Sequence, residues 1–138
     1  MGTVIRAEIS EKNKYKINKH RHYELKHFCL QYPDWKKLYS ELDGFERSND
    51  YTNMSKSNMP SDPTYKCIEL KNLYLKNVEL IEQVAMDTDP ELANYILKGV
   101  TEELSYQYLR SKLGIPCSRD TYYNRYRRFF WLLDKERN

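Results

Sequence analysis

No segment of the chain alternates convincingly between apolar and polar residues with period two. Apolar residues recur instead at spacings of three, four and seven, as on helices with one covered stripe. The pattern predicts an all-α fold: a small helical protein with a long central helix and a C-terminal helix-turn-helix. Asn18 is placed to cap a helix from about Lys19 to Gln31, with Tyr23, Leu25, Phe28 (or His27) and Leu30 as its stripe. Tyr32 precedes Pro33, which disfavours helical geometry at Tyr32 and suits the first turn of a second helix, PDWKKLYSELDGF. Trp35, Leu38, Tyr39 and Leu42 share a face of that helix, and Gly44 is expected to end it.

Residues 47–61 are polar, small and almost free of aliphatic side chains, which predicts a linker. Ser61-Asp62-Pro63 then opens the longest helix with a capping group before a proline. Its seam holds Leu70, Leu73, Tyr74, Asn77, Leu80, Ile81 and Val84, and a second stripe holds Ile68, Leu75 and Val78. Apolar residues on two faces predict cover on two sides, and a homodimer through the 63–86 helix is one way to supply it. Asp87-Thr88-Asp89-Pro90 repeats the start signal for a helix from Pro90 to Lys98 that buries Leu92, Tyr95 and Ile96, with Gly99 as its stop. Thr101 is expected to cap the next helix, Glu102 and Glu103 lying in its first turn where acids suit the helix dipole. Tyr106, Leu109 and Leu113 fall on one face, Leu113-Gly114-Ile115 makes a tight turn, and Ser118 caps a last helix.

These elements divide the chain into a flexible basic arm at 1–17, an N-terminal helical hairpin at 18–46, the linker at 47–61, and a unit at 62–138 combining the long helix with the helix-turn-helix. A chain of 138 residues with 40% hydrophobic content can form one modest core, so this is one domain or one domain with an arm. No apolar run approaches a membrane span, the N-terminus shows no signal-peptide pattern, and Arg6 stands where a myristoylation motif needs Ser or Thr. A cytoplasmic protein of a bacterial host cell, with no membrane partner, is the expectation. Cys29, Cys67 and Cys117 are unclustered, which fits reduced thiols. His20, His22, His27 and Cys29 match no common zinc spacing and fit a basic arm near a polyanion better, so no metal or other cofactor is expected. There is no glycine-rich phosphate loop, HExxH or nucleophile elbow, and an enzyme is the least favoured class.

Net charge is only +3, but it is unevenly spread. Residues 1–37 carry +5, residues 38–104 carry −7 and residues 105–138 carry +5, so a polyanion would meet the two ends of the chain rather than its middle. The last helix sharpens this. Tyr122, Tyr126, Phe129 and Leu133 lie at core spacing, while Arg119, Asp120, Tyr123, Asn124 and Arg127 form a polar stripe from the helix N-terminus, the end that usually meets base edges. Ser118 and Thr121 sit in the same first turn. Arg119 and Arg127 can make forked bonds to guanine or phosphate, Asn124 can pair with adenine, and Tyr123 can stack or bond a phosphate. Arg125 and Arg128 lie to the side, where backbone contacts are made.

A short basic helix, Tyr32-Pro33 followed by Asp34-Trp35, a polar linker, a long helix and a C-terminal helix-turn-helix form a familiar order. Together with Leu113-Gly114-Ile115 through Ser118 to Thr121-Tyr122, it resembles the RinA/ArpU-type late-gene regulators of phages of Gram-positive bacteria. Over roughly residues 19–135, that resemblance implies a small all-α protein whose C-terminal part is similar to region 4 of sigma-70 factors. The aromatic tail from Tyr122 to Trp131 departs from the aliphatic residues expected there. The expected function is sequence-specific binding of double-stranded DNA by a phage or prophage activator of late genes, with a surface that meets RNA polymerase. Two alternatives stay open: a small terminase subunit-like packaging adaptor, and a phage-encoded interaction module that inhibits a host factor without touching DNA.

Overall fold

Asn18, Ser105 and Ser118 each open a helix by accepting a first-turn backbone N–H. A computed structural model describes residues 13–52 and 62–138, with side chains for 13–44 and 65–138. Among the described residues every regular element is a helix: α1 (Lys19–Leu30), α2 (Tyr32–Thr52), α3 (Asp62–Thr88), α4 (Ala93–Glu102), α5 (Tyr106–Leu113) and α6 (Arg119–Glu136). The protein is all-α, and α3 is its long central helix. Asn18 Oδ1 accepts the backbone N–H groups of His20 and Arg21 at 2.9 and 3.4 Å, satisfying donors that the first turn of α1 leaves open.

The boundary between α1 and α2 is narrower than expected. Gln31 alone separates them, and Tyr32 is already helical. Pro33 falls in the first turn, where an N–H has no intrahelical partner, so the proline costs α2 no hydrogen bond. Gly44 does not stop α2, which continues to Thr52 and takes in the first residues of the expected linker. Glycine in a helix costs only about 1 kcal/mol relative to alanine, too little to end a helix otherwise favoured. The rest of that linker, 53–61, lies outside the described residues.

The chain divides into two compact units: Tyr32–Leu80, and a second that joins the segment up to Gln31 to Ile81–Asn138. In the second unit α1 packs on α4 and α6, and α4 packs on α5 and α6. The predicted helical hairpin at 18–46 is therefore not a unit, because α1 belongs with the C-terminal helices. Its inward face is His22, Leu25, Phe28 and Cys29, while Tyr23 and His27 are exposed. Ile81, Val84 and Ala85 from α3, Leu92, Ala93, Ile96 and Val100, and Leu109 and Ile115 complete the core with α6. Arg21 Nε meets Asp134 Oδ1 at 2.6 Å, and Arg137 lies 3.6 Å from the Phe28 ring centroid, pinning α1 along α6. The expected arm at 1–17 is anchored at its C-terminal end: Tyr15 is buried with its ring 5.4 Å from Trp131, edge to face. Residues 1–12 lie outside the described residues.

Gly99 and Thr101 do not end α4 and open α5. Both are buried inside α4, and Thr101 Oγ1 donates to Leu97 O at 2.7 Å. Gly99 is needed for close approach, since a Cβ there would fall on the Tyr122 hydroxyl. The end of α4 is Glu103, left-handed at φ 58°, whose carboxylate pairs with Lys26 at 3.0 Å. Ser105 then caps α5 by accepting the N–H of Tyr108 at 3.2 Å.

In the Tyr32–Leu80 unit, Cys67 Sγ contacts Leu42 O at 3.6 Å. Lys71 Nζ bonds Asp43 at 3.0 Å and lies 5.4 Å from the Tyr39 ring centroid. These contacts join α2 to the N-terminal half of α3. That half exposes Leu70, Leu73, Ile68 and Leu75, so the predicted seam is only partly covered.

Candidate nucleic-acid interface

Leu109 packs fully buried in α5, and Gly114 ends the helix at φ 68°, a left-handed conformation that favours glycine. The N–H of Ile115 donates to Leu109 O at 3.0 Å, and Ile115 is completely buried. Three further bonds close the connection. Arg110 donates to Ile115 O at 3.2 Å, Tyr106 Oη donates to Cys117 O at 2.5 Å, and the Tyr106 N–H donates to Tyr123 Oη at 3.4 Å. The connection is thus fixed by buried apolar residues at its start and by hydrogen bonds along its length.

Ser118 opens α6 as expected: its Oγ accepts the N–H of Thr121 at 3.2 Å and donates to Thr121 Oγ1 at 3.0 Å. Ser118, Arg119 and Asp120 are exposed, and Thr121 is half-buried. On α5, Gln107, Tyr108, Arg110, Ser111 and Lys112 are exposed. Periodicity in α6 did not single out these α5 residues; their polar runs between Tyr106, Leu109 and Leu113 were the available signal.

Three of the expected contact residues are engaged within the fold. Tyr123 is only 6% exposed and packs at 5.0 Å against Tyr122, because α6 is covered on two sides and the aromatic face is wider than one stripe. It serves the surface indirectly, its ring lying 5.0 Å below the Arg119 guanidinium. Arg125 Nε binds Asp89 Oδ2 at 2.9 Å and its NH1 donates to Asn124 Oδ1 at 2.6 Å. Asp89 Oδ1 in turn accepts the N–H groups of Glu91 and Leu92 ahead of α4. Arg128 Nε donates to Thr88 O at 3.2 Å, the last residue of α3, and its NH1 donates to Tyr15 Oη at 3.4 Å. That bond holds the Tyr15 phenol below its usual range. Arg125 and Arg128 are half-buried clamps within the fold. Arg127 is half-buried, with its Nε enclosed and without a partner among the described residues. Asn124 is half-buried and already engaged by Arg125.

Behind this surface lies an aromatic layer. His22 stands edge-on to Phe130 at 4.8 Å, with Tyr126 at 6.3 Å. Burial, with Lys26 adding a smaller effect, holds its imidazole down at about 4. His22 is therefore a neutral core residue rather than a charge beside a polyanion. Burial pushes the phenols of Tyr122 and Tyr126 and the Cys29 thiol up, so none of the three supplies an anion near neutral pH. Among the described residues no cluster of His, Cys, Asp or Glu is arranged to hold a metal ion, and no helix is long and apolar enough to cross a membrane.

Comparison with protein-family models, with curated proteins and with solved structures finds no match for this chain.

Proposed function

We propose that the protein is a sequence-specific DNA-binding transcription regulator that presents the N-terminal turn of α6 to duplex DNA. The observation that carries this is the ordered α5–α6 connection: buried Leu109 and Ile115 around left-handed Gly114, leading to a Ser118-capped helix whose first turn exposes Arg119. A rigid turn followed by an exposed, capped helix start is what major-groove readout requires, because base-edge contacts need side chains held in fixed register. Arg119 is the base-reading candidate, steadied by Tyr123 beneath it. Ser118 and Thr121 suit phosphate contacts at the helix start, and Arg110 and Lys112 suit the flanking backbone. A role at phage late promoters, with a surface for RNA polymerase, follows from the resemblance of the element order and belongs to the same proposal.

Selection of bound duplexes from a random pool tests it. Enrichment of one consensus is expected, with Arg119→Ala weakening that site by about 1–3 kcal/mol while leaving non-specific binding nearly unchanged. Failure to enrich any sequence, or an Arg119→Ala variant that binds the consensus as tightly as wild type, overturns it.

A further inference from the structure

The N-terminal half of α3 carries the two most exposed large apolar side chains of the described residues, Tyr65 at 59% and Leu73 at 50%. Both lie on one stripe with Glu69, Lys76 and Leu80, at successive spacings of four, four, three and four, which keeps all five on one helical face. Glu69 and Lys76 are exposed and Leu80 is half-buried. The order along the stripe is aromatic, acid, leucine, base, leucine. Read from its other end, the acid and base exchange places and the apolar residues fall on apolar residues. The stripe is thus complementary to an antiparallel copy of itself.

We propose that this face is the contact of a homodimer, with two α3 helices antiparallel about a two-fold axis beside Leu73. Glu69 of each chain then meets Lys76 of the other. Tyr65 covers the other chain's Leu80, and the two Leu73 side chains meet at the axis. A two-fold contact must be self-complementary, and opposite charges seven residues apart on one face satisfy that only in the antiparallel sense. The dimer draws on residues 65–80 alone and holds whether or not α6 meets DNA.

Sedimentation equilibrium of the full chain reads this directly. A dimer is expected, and Leu73→Glu should yield a monomer with unchanged helical circular dichroism. Glu69→Lys and Lys76→Glu should each raise the dimer dissociation constant about tenfold by setting like charges opposite one another. The double exchange Glu69→Lys with Lys76→Glu restores both pairs and should return the constant to near wild type. A monomeric wild type, a Leu73→Glu variant that still dimerises, or a double exchange no better than either single variant overturns the proposal.

Discussion

Gly99 and Tyr122 show how tightly the residues that seat α6 are fitted. The Tyr122 hydroxyl is buried over Gly99 and has no partner among the described residues. Gly99→Ala should therefore lose roughly 1–3 kcal/mol to overpacking, although alanine favours a helix by about 1 kcal/mol. Tyr122→Phe removes an unsatisfied group and should be neutral or stabilising, and in that background the loss from Gly99→Ala should shrink. Urea melts of the four proteins check this, and strictly additive effects would contradict the contact. His22 gives a pH-dependent counterpart. Its folded value is about 4 against an ordinary 6.5, so the unfolded chain binds the proton first as pH falls. Stability from this source is level above 6.5, declines between 6.5 and about 4, and then flattens, a loss of ~3 kcal/mol. His22→Phe keeps the ring contacts and should remove that share of the decline. Identical pH profiles for the two proteins would show that His22 does not titrate this way. Neither pair was legible in the sequence: Gly99 looked like a helix stop and His22 like part of a basic arm, because both roles depend on α6 lying opposite in space.

Helix identity was largely legible, since periodicity and the caps Asn18 and Ser118 act within a few residues. Helix ends were less so. Gly44 and Gly99 were expected to stop α2 and α4, yet both helices continue past them, since a local preference of about 1 kcal/mol is too small to end a helix by itself. The polar stripe of α6 was also only partly legible. An arginine at surface spacing has the same sequence signature whether it faces solvent or reaches a carboxylate on a neighbouring segment. Arg125 does the latter, and Asp89 joins it to the turn ahead of α4. Double-mutant analysis of Arg125→Ala and Asp89→Ala should give a coupling of about 0.5–1 kcal/mol, with Asp89→Ala the costlier single change because it also frees two backbone N–H groups. A coupling near zero would return Arg125 to the solvent-facing surface.

For the whole chain, the sequence showed a basic C-terminal segment but not how much of that charge is available. Arg125 and Arg128 are tied within the fold, and Arg137 lies over Phe28. On α5 and at the start of α6, Arg110, Lys112 and Arg119 are exposed, with Arg127 half-buried. With Arg119 assigned to the bases, Arg110, Lys112 and Arg127, rather than the formal charge of the segment, set the expected strength of phosphate contact. The dependence of duplex binding on salt therefore tests DNA recognition through α5 and α6 most directly. Each phosphate neutralised contributes about −0.9 to the slope of log K against log salt, so a slope of roughly −3 per bound chain is expected, falling by about one unit for Lys112→Ala. A slope near zero, or one unaltered by removing Lys112, would contradict the proposed interface.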